Sequence, residues 1–284
     1  MSALYGFDAY SPREIASRVE EVGVAKARMP LLPLVMLGVL AGGFIGLGAL
    51  FYTLVTSDAT LGFAASRLLG GLTFSLGLVL VVVAGAELFT GNNLIAMAWA
   101  EGKVTSAEVL RNWIVVCVAN FVGAAGLALR VYLSGNLGAN SGAVAMQAVK
   151  IAAAKAALPA AEAFFRGVLC NILVCMAVWM AFAGRSVVDK AIAIVFPISA
   201  FVAAGFEHSI ANMYFFPIAM LELSQAPSLV PGAELVDTAH MLRNFASVIA
   251  GNIVGGSVLV ALVYYLVYRR GGTAAQGKAG PPHG

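Results

Sequence analysis

Six long apolar stretches, at approximately 31–56, 67–99, 110–133, 160–183, 187–221 and 240–268, set the limits on what this chain can fold into. Each is long enough to cross about 30 Å of hydrocarbon at about 1.5 Å per residue. Of the 284 residues, 61% are hydrophobic and only 11% charged, whereas a soluble domain is typically about a quarter charged. Lipid is therefore the expected solvent, and the expected fold class is an all-α membrane protein with six transmembrane helices. The basic residues are dispersed and form no stripe that would suit nucleic acid.

The first 30 residues mix Glu14, Glu20 and Glu21 with Arg13, Arg18, Lys26 and Arg28 and hold no apolar core of a signal peptide. Ser11-Pro12-Arg13-Glu14 reads as a capping box opening a short helix, with Ile15, Val19 and Val22 on one face. Residues 1–30 are thus an amphipathic segment at the membrane surface or against the bundle. Residues 31–268 form the six-span domain, and the Gly/Ala/Pro-rich residues 269–284 form a disordered tail. Cys117, Cys170 and Cys175 lie inside apolar runs with no CxxC spacing, as buried structural thiols do. Six spans place both termini on one side. That side collects 11 of the 17 Lys and Arg residues, so it is assigned to the cytoplasm.

The two halves repeat each other. Residues 25–40 and 154–169 share seven of sixteen positions, including Lys26 with Lys155 and Pro30 with Pro159. Gly85-Ala-Glu87 through Asn92 matches Gly205-Phe-Glu207 through Asn212, and Arg111-Asn112-Trp113 with Asn120 matches Arg243-Asn244-Phe245 with Asn252. The repeats run over about 25–133 and 154–268. Each holds an odd number of spans, so the second enters the membrane inverted, the architecture in which broken helices meet near the midplane around a transport site. Polar residues at 85–93 and 205–212 interrupt spans 2 and 5. Irregular backbone at that depth needs burial in protein or a wetted cavity.

Glu87 and Glu207 sit at these interruptions, each beside a glycine (Gly85 and Gly205). An ionisable residue in a span costs about 3 kcal/mol or more unless paired or hydrated. A carboxylate facing an anion pore would repel its cargo, so both are read as scaffolding for the breaks. His208 occupies the position of Leu88 in the other repeat, and imidazole exchanges protons near neutral pH. Thr90 could donate to an anion or to His208. Asn171 and Asn252 could supply neutral donors, and Lys155, placed at the outer end of span 4, could attract anions into a vestibule.

The segments "GAELFTGNN", "AFVAAGFEHSIANMYFFP", "LCNILVCMAVWMAFAGRSVVDK" and "NIVGG" resemble the formate/nitrite transporter family, and the resemblance spans essentially the whole chain. The early Gly6-Phe7-Asp8 and "VEEVGVAKA" are most like its formate channel branch. The loop Thr90-Gly91-Asn92-Asn93 departs from a Thr-Ser pattern and is closer to nitrite or hydrosulfide relatives. The resemblance implies an aquaporin-like fold, a homopentamer with one pore per protomer in a bacterial inner membrane, and no cofactor. It also implies that Leu88 and Phe201 form a cytoplasmic-side constriction and Phe74 an outer one. His208 would be the central protonatable group with Thr90 its loop partner, Lys155 and Asn252 would guide the anion, and the N-terminal helix would tune gating with pH. The expected function is a pH-gated channel for a small monovalent anion: formate, alternatively nitrite or hydrosulfide. A water or neutral-solute pore is the rival of another class. One intramembrane histidine with two glutamates supplies neither a zinc site nor a catalytic triad, so no enzyme is expected.

Overall fold

The computed structural model describes residues 9–225 and 230–270. Gly6-Phe7-Asp8, residues 271–284 of the expected tail, and with them Lys278 and His283, lie outside that range. The described residues are almost entirely helical, and six helices have membrane-crossing length and hydropathy: α2 (Leu31–Thr56), α3 (Phe63–Ala84), α5 (Ser106–Leu133), α7 (Ala160–Ala181), α8 (Val187–Ala204) and α10 (Thr238–Arg270). Shorter helices complete the chain order: α1 (Pro12–Ala27), α4 (Ala96–Ala100), α6 (Ala143–Ala156) and α9 (Ser209–Leu223). Most of the second half of α10 winds wider than an α-helix, over Val254–Leu262 and Leu266–Arg270.

Helix α1 begins as the sequence predicts. The Ser11 hydroxyl accepts from the Glu14 amide, and the Glu14 carboxylate accepts from the Ser11 amide at 2.7 Å. The capping bonds hold the Glu14 carboxyl below its usual range, backbone Ser11 first and its hydroxyl second. The helix lies against the bundle, burying Ile15, Ala16, Val19 and Gly23. Glu20, also buried, is ion-paired to Lys103 and to Arg269. One carboxylate thereby ties α1 to the turn before α5 and to the end of α10.

Helix α6 has no counterpart in the sequence reading, which treats 134–142 as a turn and starts the second repeat near 154. Its buried face is Val144, Ala145, Ala148, Val149, Ala152, Ala153 and Ala156, small residues at helical spacing that match the first half only at their end. It corresponds to α1: each delivers a lysine in its last turn, Lys26 and Lys155, just before Pro30 or Pro159 opens a long helix. Lys155 therefore belongs to α6 rather than to span 4.

Two helix crossings set the spacing of everything else. A Cβ on Gly42 would overlap the Asn120 carbonyl, and one on Gly123 the Val39 carbonyl, so α2 and α5 touch backbone to backbone. In the other half, Gly251 meets the Phe164 carbonyl and Gly255 the Val168 carbonyl where α10 crosses α7. In lipid, where apolar burial does not drive helices together, such close approach is a main source of association. We expect Gly123→Val to push α2 from α5 and cost about 3 kcal/mol or the fold itself. Gly43→Ala, whose added methyl meets nothing within 4 Å, should be neutral or slightly stabilising. Thermal unfolding of the detergent-solubilised protein reads both.

Candidate functional site: a buried imidazole between two cavities

Helices α3 and α8 both stop at a glycine with positive φ, Gly85 at 81° and Gly205 at 73°, a conformation that costs other residues a steric clash. Residues 86–90 and 206–208 then leave the regular helix before the chain turns into the segments ending in α4 and α9. The freed backbone groups need partners, since these segments are largely buried. Glu87 N–H donates to the Leu37 carbonyl and Glu207 N–H to the Arg166 carbonyl, each at 3.2 Å. Asn120 Nδ2 donates to the carbonyls of Gly38 and Glu87, while its Oδ1 accepts from Phe89 N–H. Asn252 does the same with Gly167, Glu207 and Ser209.

The carboxylates are held by matching partners, with one extra bond from Lys26 Nζ to Asn92 Oδ1 at 3.0 Å. Lys26 Nζ donates to Glu87 Oε1 at 2.6 Å and Lys155 Nζ to Glu207 Oε1 at 2.8 Å. Asn92 Nδ2 and Asn212 Nδ2 reach the other carboxylate oxygen at 2.7 Å. Asn112 and Asn244 accept from those amides and donate to the carbonyls of Lys26 and Lys155. Every buried charge thus has an opposite charge and neutral donors around it, the condition under which a buried ion pair is tolerable.

Among the positions where the two halves differ is the residue after each glutamate. Leu88 offers no polar atom, whereas His208 caps α9: its Nδ1 accepts from Ala211 N–H at 3.1 Å. A nitrogen that accepts carries no proton, so the neutral imidazole bears its hydrogen on Nε2. Nε2 lies 2.9 Å from Thr90 Oγ1, which accepts that hydrogen and keeps its own free to donate. Thr90 is fully buried, and its carbonyl accepts from Asn171 Nδ2 and Cys175 Sγ.

Two cavities approach this pair. The first, about 460 Å³, is lined by Arg18, Val19, Val22, Gly23 and Lys26 of α1 together with Leu78, Val81, Gly85, Glu87, Leu88 and Lys190. The second, about 310 Å³, is lined by Tyr52, Arg67, Phe74, Lys150, Lys155, Phe201, Gly205, Glu207 and His208. The resemblance sets Phe201 with Leu88 and Phe74 apart, and all three side chains are buried in one core cluster. Phe74 and Phe201 pack edge to face at 5.7 Å, Phe201 stacks on His208 at 5.8 Å, and both phenylalanines line the second cavity while Leu88 lines the first. The cause is the tight approach of α3 to α8 at Gly71 and Ser199, which brings the two rings together.

Three expected donors also stand elsewhere. Asn171 spends its amide on the carbonyls of Thr90 and Asn252 and on Asn93 Oδ1, and Asn252 spends its own on the chain interruption. Lys155 is bound to Glu207. Lys26, Asn92, Asn112, Asn212 and Asn244 are the functional-site residues the sequence reading assigned no role. Their signal was the recurrence of the same residue types at matched positions of the repeat.

Six helices of membrane-crossing length around two cavities, one lined by Leu88 and the other by His208, define a multi-pass membrane transport protein. Residues 13–266 match the sequence profile described as formate/nitrite transporter. Formate channel FocA of Escherichia coli K12 is 39% identical over 280 residues, 95% of this chain and 98% of that protein. Formate channel FocA of Haemophilus influenzae is 38% identical over 265 residues, 89% and 93% of the two chains. Among solved structures, a pentameric formate channel with formate bound superposes with a TM-score of 0.78 at 38% identity, covering 84% of this chain and 97% of that one. An FNT family ion channel does so at 0.79 with 27% identity, covering 89% and 98%. The chain belongs to the formate/nitrite transporter family.

The paired networks generate a double-mutant test. Glu87→Gln strands the Lys26 ammonium, which is only a quarter exposed, and should cost about 3 kcal/mol. Lys26→Met together with Glu87→Gln should recover most of that loss, because the partner charge is gone too. Denaturant unfolding of the four proteins in one detergent measures the coupling.

Proposed function

We propose that this chain is a channel for small monovalent anions, with formate as its principal cargo and His208 with Thr90 as the passage point between the two cavities. The observation that carries the reading is the 2.9 Å contact between His208 Nε2 and Thr90 Oγ1 at the apolar barrier, in a chain 39% identical to a formate channel. An anion arriving there meets the donors Nε2–H and Thr90 O–H, with carboxylates that are already neutralised. A bare anion crossing the rings of Phe74 and Phe201 and the side chain of Leu88 pays a large desolvation penalty. Sharing a proton with the passing weak acid relieves it.

The tautomer constrains how that sharing works. A neutral imidazole that surrenders its Nε2 proton would leave an imidazolate, so full proton transfer requires an imidazolium first. That second proton must settle on Nδ1, which breaks the Ala211 cap at a cost of about 1 kcal/mol. Short of it, His208 serves as a neutral hydrogen-bond donor. Pore entry and proton coupling therefore separate at one residue.

Interruptions of spans 2 and 5 with matched networks favour two inverted three-helix repeats, and the Lys/Arg bias favours cytoplasmic termini. A homopentamer is supported by the pentameric relative. Five residues of α1 line the first cavity, which supports a gating role for that helix. The loop Thr90-Gly91-Asn92-Asn93 favours nitrite or hydrosulfide as the second reading of cargo. No catalytic chemistry is assigned to the site, in keeping with relatives that are channels and transporters.

Flux of formate, nitrite and hydrosulfide into proteoliposomes at two pH values tests the proposal. Formate flux well above that of protein-free vesicles, rising as pH falls, is expected; equal permeation by uncharged solutes with no pH response would favour the neutral pore instead. His208→Asn, which keeps an amide donor but no titratable group, should retain anion conductance and lose proton uptake. Proton uptake unchanged in that variant would rule out the histidine as the coupling group.

A further inference from the structure

The second cavity carries more positive charge than its buried ion pair uses. Its titratable lining is Arg67, Lys150, Lys155, Arg166 and Glu207, with His208 at the floor. Lys155 and Glu207 cancel each other at 2.8 Å, and Arg166 pairs with the exposed Glu162 on its own helix at 3.2 Å. Arg67 has no carboxylate partner among the described residues. Its guanidinium lies 5.4 Å over the Phe63 ring, a neutral contact that leaves the charge uncancelled.

Arg67 is placed to act on a passing anion. Its Nη1 stands 3.6 Å from where a Cβ on Gly205 would be, beside the turn that presents His208. The Tyr52 ring packs on Gly70, one helical turn from Arg67, where an added Cβ would sit 2.8 Å from it. Phenol and guanidinium line the same cavity, and Tyr52 packs edge to face on Phe74 at 6.5 Å, one ring short of the barrier.

We propose that Arg67, with the Tyr52 hydroxyl, forms a selectivity subsite for bent two-oxygen anions at the entrance to the barrier. A planar guanidinium offers two parallel N–H donors that match the two oxygens of a carboxylate or of nitrite. A hydrosulfide ion has one acceptor atom and gains only the point charge. Lys150, exposed at the rim, concentrates anions without sorting them, and its effect is screened by salt over about 10 Å at 0.1 M. The inference rests on the anion-channel reading and names the residue that ranks its cargo.

The test compares wild type, Arg67→Lys, Arg67→Gln and Lys150→Gln in phosphatidylethanolamine–phosphatidylglycerol liposomes, with formate, nitrite and hydrosulfide fluxes measured side by side in 0.1 M salt. Arg67→Gln should lower formate and nitrite flux about tenfold and hydrosulfide flux less than threefold. Arg67→Lys, which keeps the charge and the stem, should narrow the preference for formate over hydrosulfide while largely holding total flux. Lys150→Gln should scale all three anions together, and less at higher salt. If wild type conducts and both Arg67 variants leave the ranking of the three anions as it was, the subsite is wrong and the channel reading stands. If wild type conducts none of them, the channel reading fails and takes the subsite with it.

Discussion

Everything in this structure depends on satisfying backbone that leaves the helix after Gly85 and Gly205. Two chain segments, 86–90 and 206–208, leave the regular helix, and in hydrocarbon each orphaned N–H or C=O costs several kcal/mol. Asn120 and Asn252 are the devices that meet this cost, each bonding two carbonyls and one amide around its segment. They reach there only because Gly123 and Gly255 let α5 and α10 lie against the backbone of α2 and α7. Helix crossing, amide clamp and chain interruption form one chain of dependence, present once in each half.

The carboxylates extend the same logic from dipoles to charge. Glu87 and Glu207 anchor the residues just after the positive-φ glycines, and a lysine from the preceding helix neutralises each. Since α1 and α6 deliver those lysines, the short helices are structural components of the barrier. Glu20 adds a second tie on the α1 side, through Lys103 and Arg269, that α6 does not have. The two faces of the barrier are therefore braced differently, although both use a lysine and two asparagines around the carboxylate.

Much of this was legible in the sequence, for identifiable reasons. Six spans follow from apolar length alone, and the capping box of α1 from four consecutive residues. Glu87 and Glu207 could be read as scaffolding because a carboxylate suits an anion path poorly. Helix α6 was hidden because its face is alanine and valine, which carry little contrast against an apolar background, and because it aligns with α1 only over its last residues. The role of Lys155 was misplaced for the same reason: a lysine next to Pro159 reads as the exposed end of the following span, and only the fold sets its Nζ on Glu207. Asn171 and Asn252 look like free donors in a sequence, where nothing shows which carbonyls will lie beside them.

Within the matched stretches, the replacement of Leu88 by His208 is the difference that brings a titratable side chain. A scaffold that repeats its clamps so closely has no packing reason to differ there, since leucine already seals the equivalent place at 2% exposure. Imidazole brings two nitrogens and the structure occupies both, one as the cap of α9 and the other on Thr90. The cap fixes the tautomer, and the tautomer aims the single N–H at the only hydroxyl of the facing segment. Thr90 is held in turn by Asn171 and Cys175 through its backbone carbonyl, so its hydroxyl can reorient without its main chain moving. A donor locked on one side and a rotatable hydroxyl on the other can hand a hydrogen bond to a small anion and take it back, with no charge left behind in the barrier.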